Sequence, residues 1–206
     1  RFCALNGGAW SYAQAGGANL TGNAVKVKVN SNNTIVAAVD GKIYMGTLDN
    51  MVCYTGDNGE VTNDEGQIVK NAPAVEDGFL DIAVAPSDAN VVYAATIGNN
   101  GNHTKIYRTG NLGATWEIIL PAVTVTYGHN VYGTKGCFNH ALVVDPTDAY
   151  CVYVLGNDVW RLKGSASQSG YYLAKQMSVT SQIHGMNDLK FDLRSLDRKS
   201  GSAGMP

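Results

Sequence analysis

An all-β chain of repeated four-stranded antiparallel sheets is encoded in these 206 residues, and three features point to it. Glycines number 24 against five prolines, and 11 tyrosines accompany recurrent Val-rich runs, a composition suited to short strands joined by tight turns. Two stretches, "LDIAVAPSDANVVYAAT" (80–96) and "HALVVDPTDAYCVYVLG" (140–156), match position for position at an offset of 60. A polar turn motif recurs alongside them, fullest in "YRTGNLGATW" at 107–116.

Each matched stretch reads as an alternating strand, a Pro-containing turn and a second apolar strand, which is a β-hairpin. "VKVKVNSNNTIVAAV" (25–39) is the same unit with a turn two residues shorter, and "NDLKFDLRS" (187–195) is its first strand again. Within the first strands, Val27 and Val29, Ile82 and Val84, Leu142 and Val144, and Leu189 and Phe191 alternate with other residues. Period-two alternation puts them on one face, which must pack on a neighbour.

The turn motif has its own repeats. "TGDNGEVT" (55–62) keeps Thr55, Asp57 and Gly59 without the Trp, and "GGAW" (7–10) keeps Gly7 and Trp10. In the third unit, "VWRLKGSASQSGYY" (159–172) holds the same place without the pattern. Hairpin and motif therefore alternate, at roughly 50 to 60 residues per unit. Thr109 and Asn111 carry short polar side chains able to bond nearby backbone N–H groups and hold a tight turn. Gly113 can take a positive φ that other residues resist, and Trp116 is placed to re-enter the sheet and bury its ring.

Four strands per unit of this length make the blade of a β-propeller. "TGNLGATW" resembles the Asp-box (Ser/Thr-x-Asp-x-Gly-x-Thr-Trp), or BNR repeat, of sialidase-like, sortilin-like and xyloglucan-hydrolysing propellers, with Asn111 in place of the Asp. The "APSDANVVYAA" and "DPTDAYCVYVL" hairpins are similar to theirs. The resemblance implies that the box joins third and fourth strands, away from the ligand face, so that Thr55, Asp57, Gly59, Thr109, Asn111, Gly113 and Trp116 are structural.

Counted in these units, residues 1–196 form an incomplete propeller. A partial blade covers 1–12, blades run over about 24–71, 78–122 and 138–177, and the first strand of another follows at 187–193. Propellers close with about four to eight blades. The expected partners are thus the missing blades, from the same chain or another; a four-bladed ring sharing its last blade between both termini is the alternative. The chain starts at Arg1, with neither an initiator Met nor a signal peptide, as a processed product or a piece of something longer would. Residues 197–206 read as a flexible tail.

Composition narrows the function. Hydrophobic residues are 45% and charged residues 16%, which marks a globular chain. A net charge of −2 and five scattered arginines make no basic patch for nucleic acid, and no apolar run approaches the ~20 residues of a membrane span. Cys3, Cys53, Cys137 and Cys151 lack metal-binding spacing, and Cys53 and Cys151 read as buried free thiols. No cofactor and no metal are expected.

In a propeller, the loops between second and third strands share one face with the loops between blades. "IGNNGNHTK" (97–105) and "VTVTYGHNVYGTKGCFN" (123–139) are the long loops of that face. They bring His103, Tyr127, His129, Tyr132 and Lys135 there, and "SQIHGMND" (181–188) adds His184. Aromatic and amide groups around a concave mouth suit sugars or polar protein surfaces. His140 begins an innermost strand and reads as a hydrogen-bonded structural residue. The N-x-Thr sequons at Asn19, Asn32 and Asn102 are compatible with an extracellular, cell-surface or virion-surface location.

Two functions follow: a non-catalytic module for glycan or protein binding or structural assembly, or a segment of a glycoside hydrolase. The resemblance implies that sialidase chemistry needs an arginine cluster and a Tyr nucleophile. Arg108 and Arg161 sit at matching strand positions and look architectural, and the family's Arg-Ile-Pro signature is absent. A xyloglucanase-like reaction needs two carboxyl groups across a cleft. Asp77, Asp81 and Asp188, at or near the ligand-facing starts of innermost strands, are the candidates, and Asp81 and Asp188 also fit strand-capping roles.

Overall fold

The computed structural model describes residues 3–6, 9–22, 24–54, 60–62, 68–70, 73, 78–98, 105–120, 140–156, 158–166 and 168–178. Every regular element among them is a strand. β1 (Cys3–Asn6) and β2 (Ala9–Tyr12) pair as one hairpin, and β3 (Gln14–Ala15) and β4 (Ala18–Asn19) as a smaller one. The first four-stranded sheet follows: β5 (Ala24–Val29), β6 (Ile35–Val39), β7 (Lys42–Thr47) and β8 (Asn50–Cys53). β9 (Glu60–Thr62) and β10 (Ile68–Lys70) pair with each other.

The second sheet is β11 (Gly78–Val84), β12 (Val92–Gly98), β13 (Lys105–Thr109) and β14 (Glu117–Leu120). The third is β15 (Ala141–Val144), β16 (Cys151–Leu155), β17 (Asp158–Ser165) and β18 (Gln168–Ser178). In all three sheets, spatial order equals chain order and every pairing is antiparallel. The first strands lie side by side, β5 against β11 and β11 against β15. Meandering sheets whose first strands gather on one side make this fold a partial β-propeller.

Alternation builds the cores between sheets. β11 sends Leu80 and Ile82 to the first sheet, where they join Val36, Ala38, Ile43 and Met45 in one buried cluster. Its other face sends Ala83 to the third sheet, with Tyr93 and Ala95 from β12. There Leu142, Val144, Val152 and Val154 complete a second cluster. Burying an Ile or Leu side chain contributes about 1.5–3 kcal/mol, so the middle sheet ties both neighbours into one packed body. A third, smaller cluster sets Ala13 and Leu20 against Ala37, Val39 and Met51 on the far face of the first sheet.

The first sheet departs from the sequence reading. Its four strands are complete by Cys53, so the 55–62 stretch follows the fourth strand instead of joining the third and fourth. The cause is turn length. Val39 pairs directly with Lys42 across Asp40 and Gly41, whose φ values are +46° and +73°. That is a two-residue turn with both central residues left-handed, matched to strand twist. Leu48 and Asp49 make another two-residue connection, closed by the Thr47–Asn50 pair. Four strands therefore fit where a longer inner loop would have admitted only three.

Residues 55–59, 77, 127–135 and 184–206 lie outside the described residues, as does residue 103. The expected positions of Thr55, Asp57, Gly59, Asp77, His103, Tyr127, His129, Tyr132, Lys135, His184 and Asp188, and of the strand at 187–193 and the tail, fall there.

Candidate functional site

Of the three candidate carboxylates, Asp81 is described. It is the fourth residue of β11, and its side chain has no solvent exposure. β11 is the end strand of its sheet, so one of its edges has no ladder partner within the sheet. Asp81 Oδ1 accepts from the Ile82 N–H at 2.8 Å and from Lys26 Nζ at 2.5 Å. Lys26 comes from β5 of the first sheet, on the face opposite Val27 and Val29, and is itself mostly buried. The pair thus spans two sheets, with one carboxylate oxygen holding both donors. Asp81 Oδ2 has no hydrogen-bond partner. A buried carboxylate persists only when paired, and Lys26 is that partner.

The 109–116 turn is organised by two side chains. Thr109 Oγ1 accepts from the Gly113 N–H at 2.9 Å and the Asn111 N–H at 3.3 Å, and donates to Asn111 Oδ1 at 2.9 Å. Asn111 Oδ1 accepts from the Thr115 N–H, and its Nδ2 donates to Thr115 Oγ1, both at 2.9 Å. An amide can do what a carboxylate would at Oδ1 and adds the Nδ2 donor, so Asn111 holds the turn from both ends. Gly113 has φ +89°, and a Cβ there would meet the Tyr54 ring at 2.5 Å. Trp116 is 2% exposed and packs in the cluster between first and second sheets. Its neighbours Arg108, Gly110, Asn111, Thr115 and Glu117 line a shallow depression of about 350 Å³ beside it.

Arg108 is engaged rather than poised for substrate. It donates to Glu117 Oε1 at 3.0 Å, and its guanidinium lies 4.3 Å from the centre of the Tyr150 ring in the third sheet. Arg161 holds the matching place, opposite Tyr153 as Arg108 is opposite Tyr93. Tyr153 also hydrogen-bonds Cys151 two residues away on the same face. Burial pushes the Cys151 thiol above its ordinary pKa, and burial, aided by Cys151, raises the Tyr153 phenol. Cys151 is buried and Cys53 partly exposed, both as free thiols. His140 sits across from Phe79 with ring centres 6.2 Å apart.

Sequence reasoning missed the Lys26–Asp81 pair, whose partners are 55 residues apart. The one available signal was a lysine alternating with valines in an inner strand, where a charge needs a partner. Among the described residues no group of three or more His, Cys, Asp or Glu side chains is placed to hold a metal ion, and no helix is long and apolar enough to cross a membrane.

The sequence matches no protein-family model and no curated protein. Among solved structures, the chain is similar to the GH74 xyloglucanase from Xanthomonas campestris, with a TM-score of 0.52 and 17% identity over 84% of this chain. A GH74 enzyme from Niastella koreensis gives a TM-score of 0.49 and 16% identity over 81%. The first likeness is one of fold. The chain spans about a quarter of the length of each neighbour, 25% in both cases.

Proposed function

We propose that this chain is a non-catalytic β-propeller module of an extracellular or surface protein, serving in glycan or protein binding or in structural assembly. The observation that carries this reading is the closure of Asp81. A glycosidase carboxyl group must touch the glycosidic oxygen, the anomeric carbon or an attacking water. Asp81 is wholly buried, and its Oδ1 is held by Lys26 and the Ile82 amide. The bonding of Arg108 to Glu117 and Tyr150 supports an architectural role in the same way. The long loops at 97–105 and 123–139 are the proposed contact surface for a ligand, with Tyr127, His129, Tyr132 and Lys135 as its residues.

Hydrolysis is the competing reading, motivated by the fold neighbour's name, and xyloglucan is therefore the probe. The chain is incubated with xyloglucan and assayed for new reducing ends, with affinity electrophoresis in parallel. The expected result is retardation without hydrolysis, with retardation weakened by Tyr127→Ala. Release of reducing ends that disappears in Asp77→Asn or Asp188→Asn would overturn the non-catalytic reading.

A further inference from the structure

The turns from first to second strand share one closure. Each ends on the same backbone bond: Asn30 N–H to Thr34 O at 3.0 Å, Ala85 N–H to Val91 O at 3.0 Å, and Asp145 N–H to Cys151 O at 2.8 Å. In the second and third sheets, carboxylates inside the turn hold it. Asp88 Oδ1 accepts from the Asn90 N–H, Asp145 Oδ1 from the Thr147 N–H and Asp148 Oδ1 from the Tyr150 N–H, each at 2.9 Å. In the first sheet one amide does the same. Asn30 is 5% exposed, and its Oδ1 accepts from the Thr34 N–H at 2.7 Å and the Asn32 N–H at 3.0 Å. Its Nδ2 donates to Ala89 O of the second sheet at 2.7 Å.

Because Asn30 fixes the turn, Asn32 and Thr34 do not have to. Ser31, Asn32 and Asn33 are exposed, Asn33 with φ +62°, and Thr34 is half-buried. Among the described residues, the Asn32 carboxamide and the Thr34 hydroxyl enter no hydrogen bond; only their backbone N–H groups do. Asn32-Asn33-Thr34 is an N-x-Thr sequon, a pattern that takes its meaning from a place on a surface turn or loop. The tip of the β5–β6 turn is such a place. The sequon at Asn19 differs: Asn19 belongs to β4, and Leu20 is buried against the first sheet with its N–H bonded to Ala13 O at 2.6 Å. The sequon at Asn102 lies outside the described residues.

We propose that Asn32 is an acceptor of N-linked oligosaccharide, an inference that rests on the extracellular or surface reading above. Asn32 Nδ2 attacks the anomeric carbon of a lipid-diphosphate-linked oligosaccharide, in the reaction of the secretory pathway's transferase. The bond from Nδ2 to that carbon forms, the bond from carbon to the diphosphate oxygen breaks with its electron pair, and the proton lost from Nδ2 passes to solvent. A sugar on Asn32 displaces no hydrogen bond of the fold, whereas one on Asn30 would displace the bond to Ala89. It is bulky and hydrophilic, as the exposed turn tip allows. The Asn30–Ala89 bond sets the turns of the first and second sheets side by side, and antiparallel pairing puts the β12–β13 connection at the opposite strand ends. The oligosaccharide therefore stands away from the proposed ligand loop at 97–105.

The test expresses the full chain behind a cleavable secretion signal in cultured eukaryotic cells, with cell-free translation into microsomal membranes in parallel. Treatment of the wild type with peptide N-glycosidase is expected to remove an oligosaccharide and leave aspartate at position 32 in the tryptic peptide Val29–Lys42. Asn32→Gln and Thr34→Ala should each be one oligosaccharide lighter, and Thr34→Ser should keep it. In unglycosylated chain made in bacteria, Asn32→Gln should unfold at the wild-type urea midpoint, whereas Asn30→Ala should unfold at a lower one, having lost the bonds that hold the turn. Recovery of Val29–Lys42 only in its unmodified form, or a midpoint for Asn32→Gln as low as that of Asn30→Ala, overturns the inference. Neither result bears on hydrolysis, so the non-catalytic reading stands or falls separately.

Discussion

Among single side chains, the Lys26–Asp81 pair shows how a candidate residue changes meaning when its surroundings are known. A carboxylate near the start of an inner strand suits either catalysis or capping; a carboxylate sealed beneath a lysine of the neighbouring sheet suits architecture. Removing one partner of such a pair leaves an uncompensated charge. Lys26→Met should destabilise the fold by about 2–3 kcal/mol, below the ~3–5 kcal/mol of a fully buried pair because Lys26 keeps some solvent contact. Urea unfolding measures it, and the double change Lys26→Met with Asp81→Leu should recover most of the loss. A double variant no better than Lys26→Met alone would mean that the charge pair is not what holds this position. Thr109 and Asn111 lie at the other extreme. Their bonding is confined to residues 109–115, and the spacing alone expressed it.

In the strands and turns, legibility followed locality. The hairpins at 80–96 and 140–156 were readable because alternation fixes each strand's face and the Pro-containing turns fix the chain reversal. The first sheet was misjudged where a second local signal competed with the repeat. Asp40–Gly41 is a strong two-residue turn signal, and extending the longer spacing of the second unit onto the first passed over it. Gly41→Val tests that turn. A β-branched residue at φ +73° is strained, and about 1–2 kcal/mol of stability should be lost. The same change at Gly98, which has no such φ requirement and sits at the end of β12, serves as the control. Equal losses at the two sites would remove the turn argument.

Across the whole molecule, two buried clusters share the middle sheet, so the three sheets should unfold together. Tyr93→Phe removes the hydroxyl that bonds Ala149 O and leaves that carbonyl unpaired in the junction. It should cost about 1–2 kcal/mol and lower the midpoints of far-ultraviolet circular dichroism and tryptophan fluorescence equally. Separate midpoints would show that the sheets are independent units. The same junction chemistry explains why the ends of the stack differ from its middle. Val29 is exposed and Val144 is buried at equivalent places, because the cover on the first sheet's far face, Ala13 and Leu20, packs on Ala37, Val39 and Met51, whereas a whole four-stranded sheet lies in front of Val144.

By itself the sequence determined the all-β class, the repeated hairpins, the faces that β11 and β15 bury and the bonding of the 109–116 turn, but not that of β5, whose Val27 and Val29 are exposed. Each of these follows from residues within a few positions of one another, through side-chain period and turn geometry. Only the tertiary structure decided that Asp81 is closed by Lys26, that Asn30 and Tyr93 latch onto the next sheet's turn, and that Arg108 stacks on Tyr150. Those contacts join residues more than 40 positions apart, and a side chain's chemical type states what it can bond without stating which distant partner the stacking of sheets will bring to it.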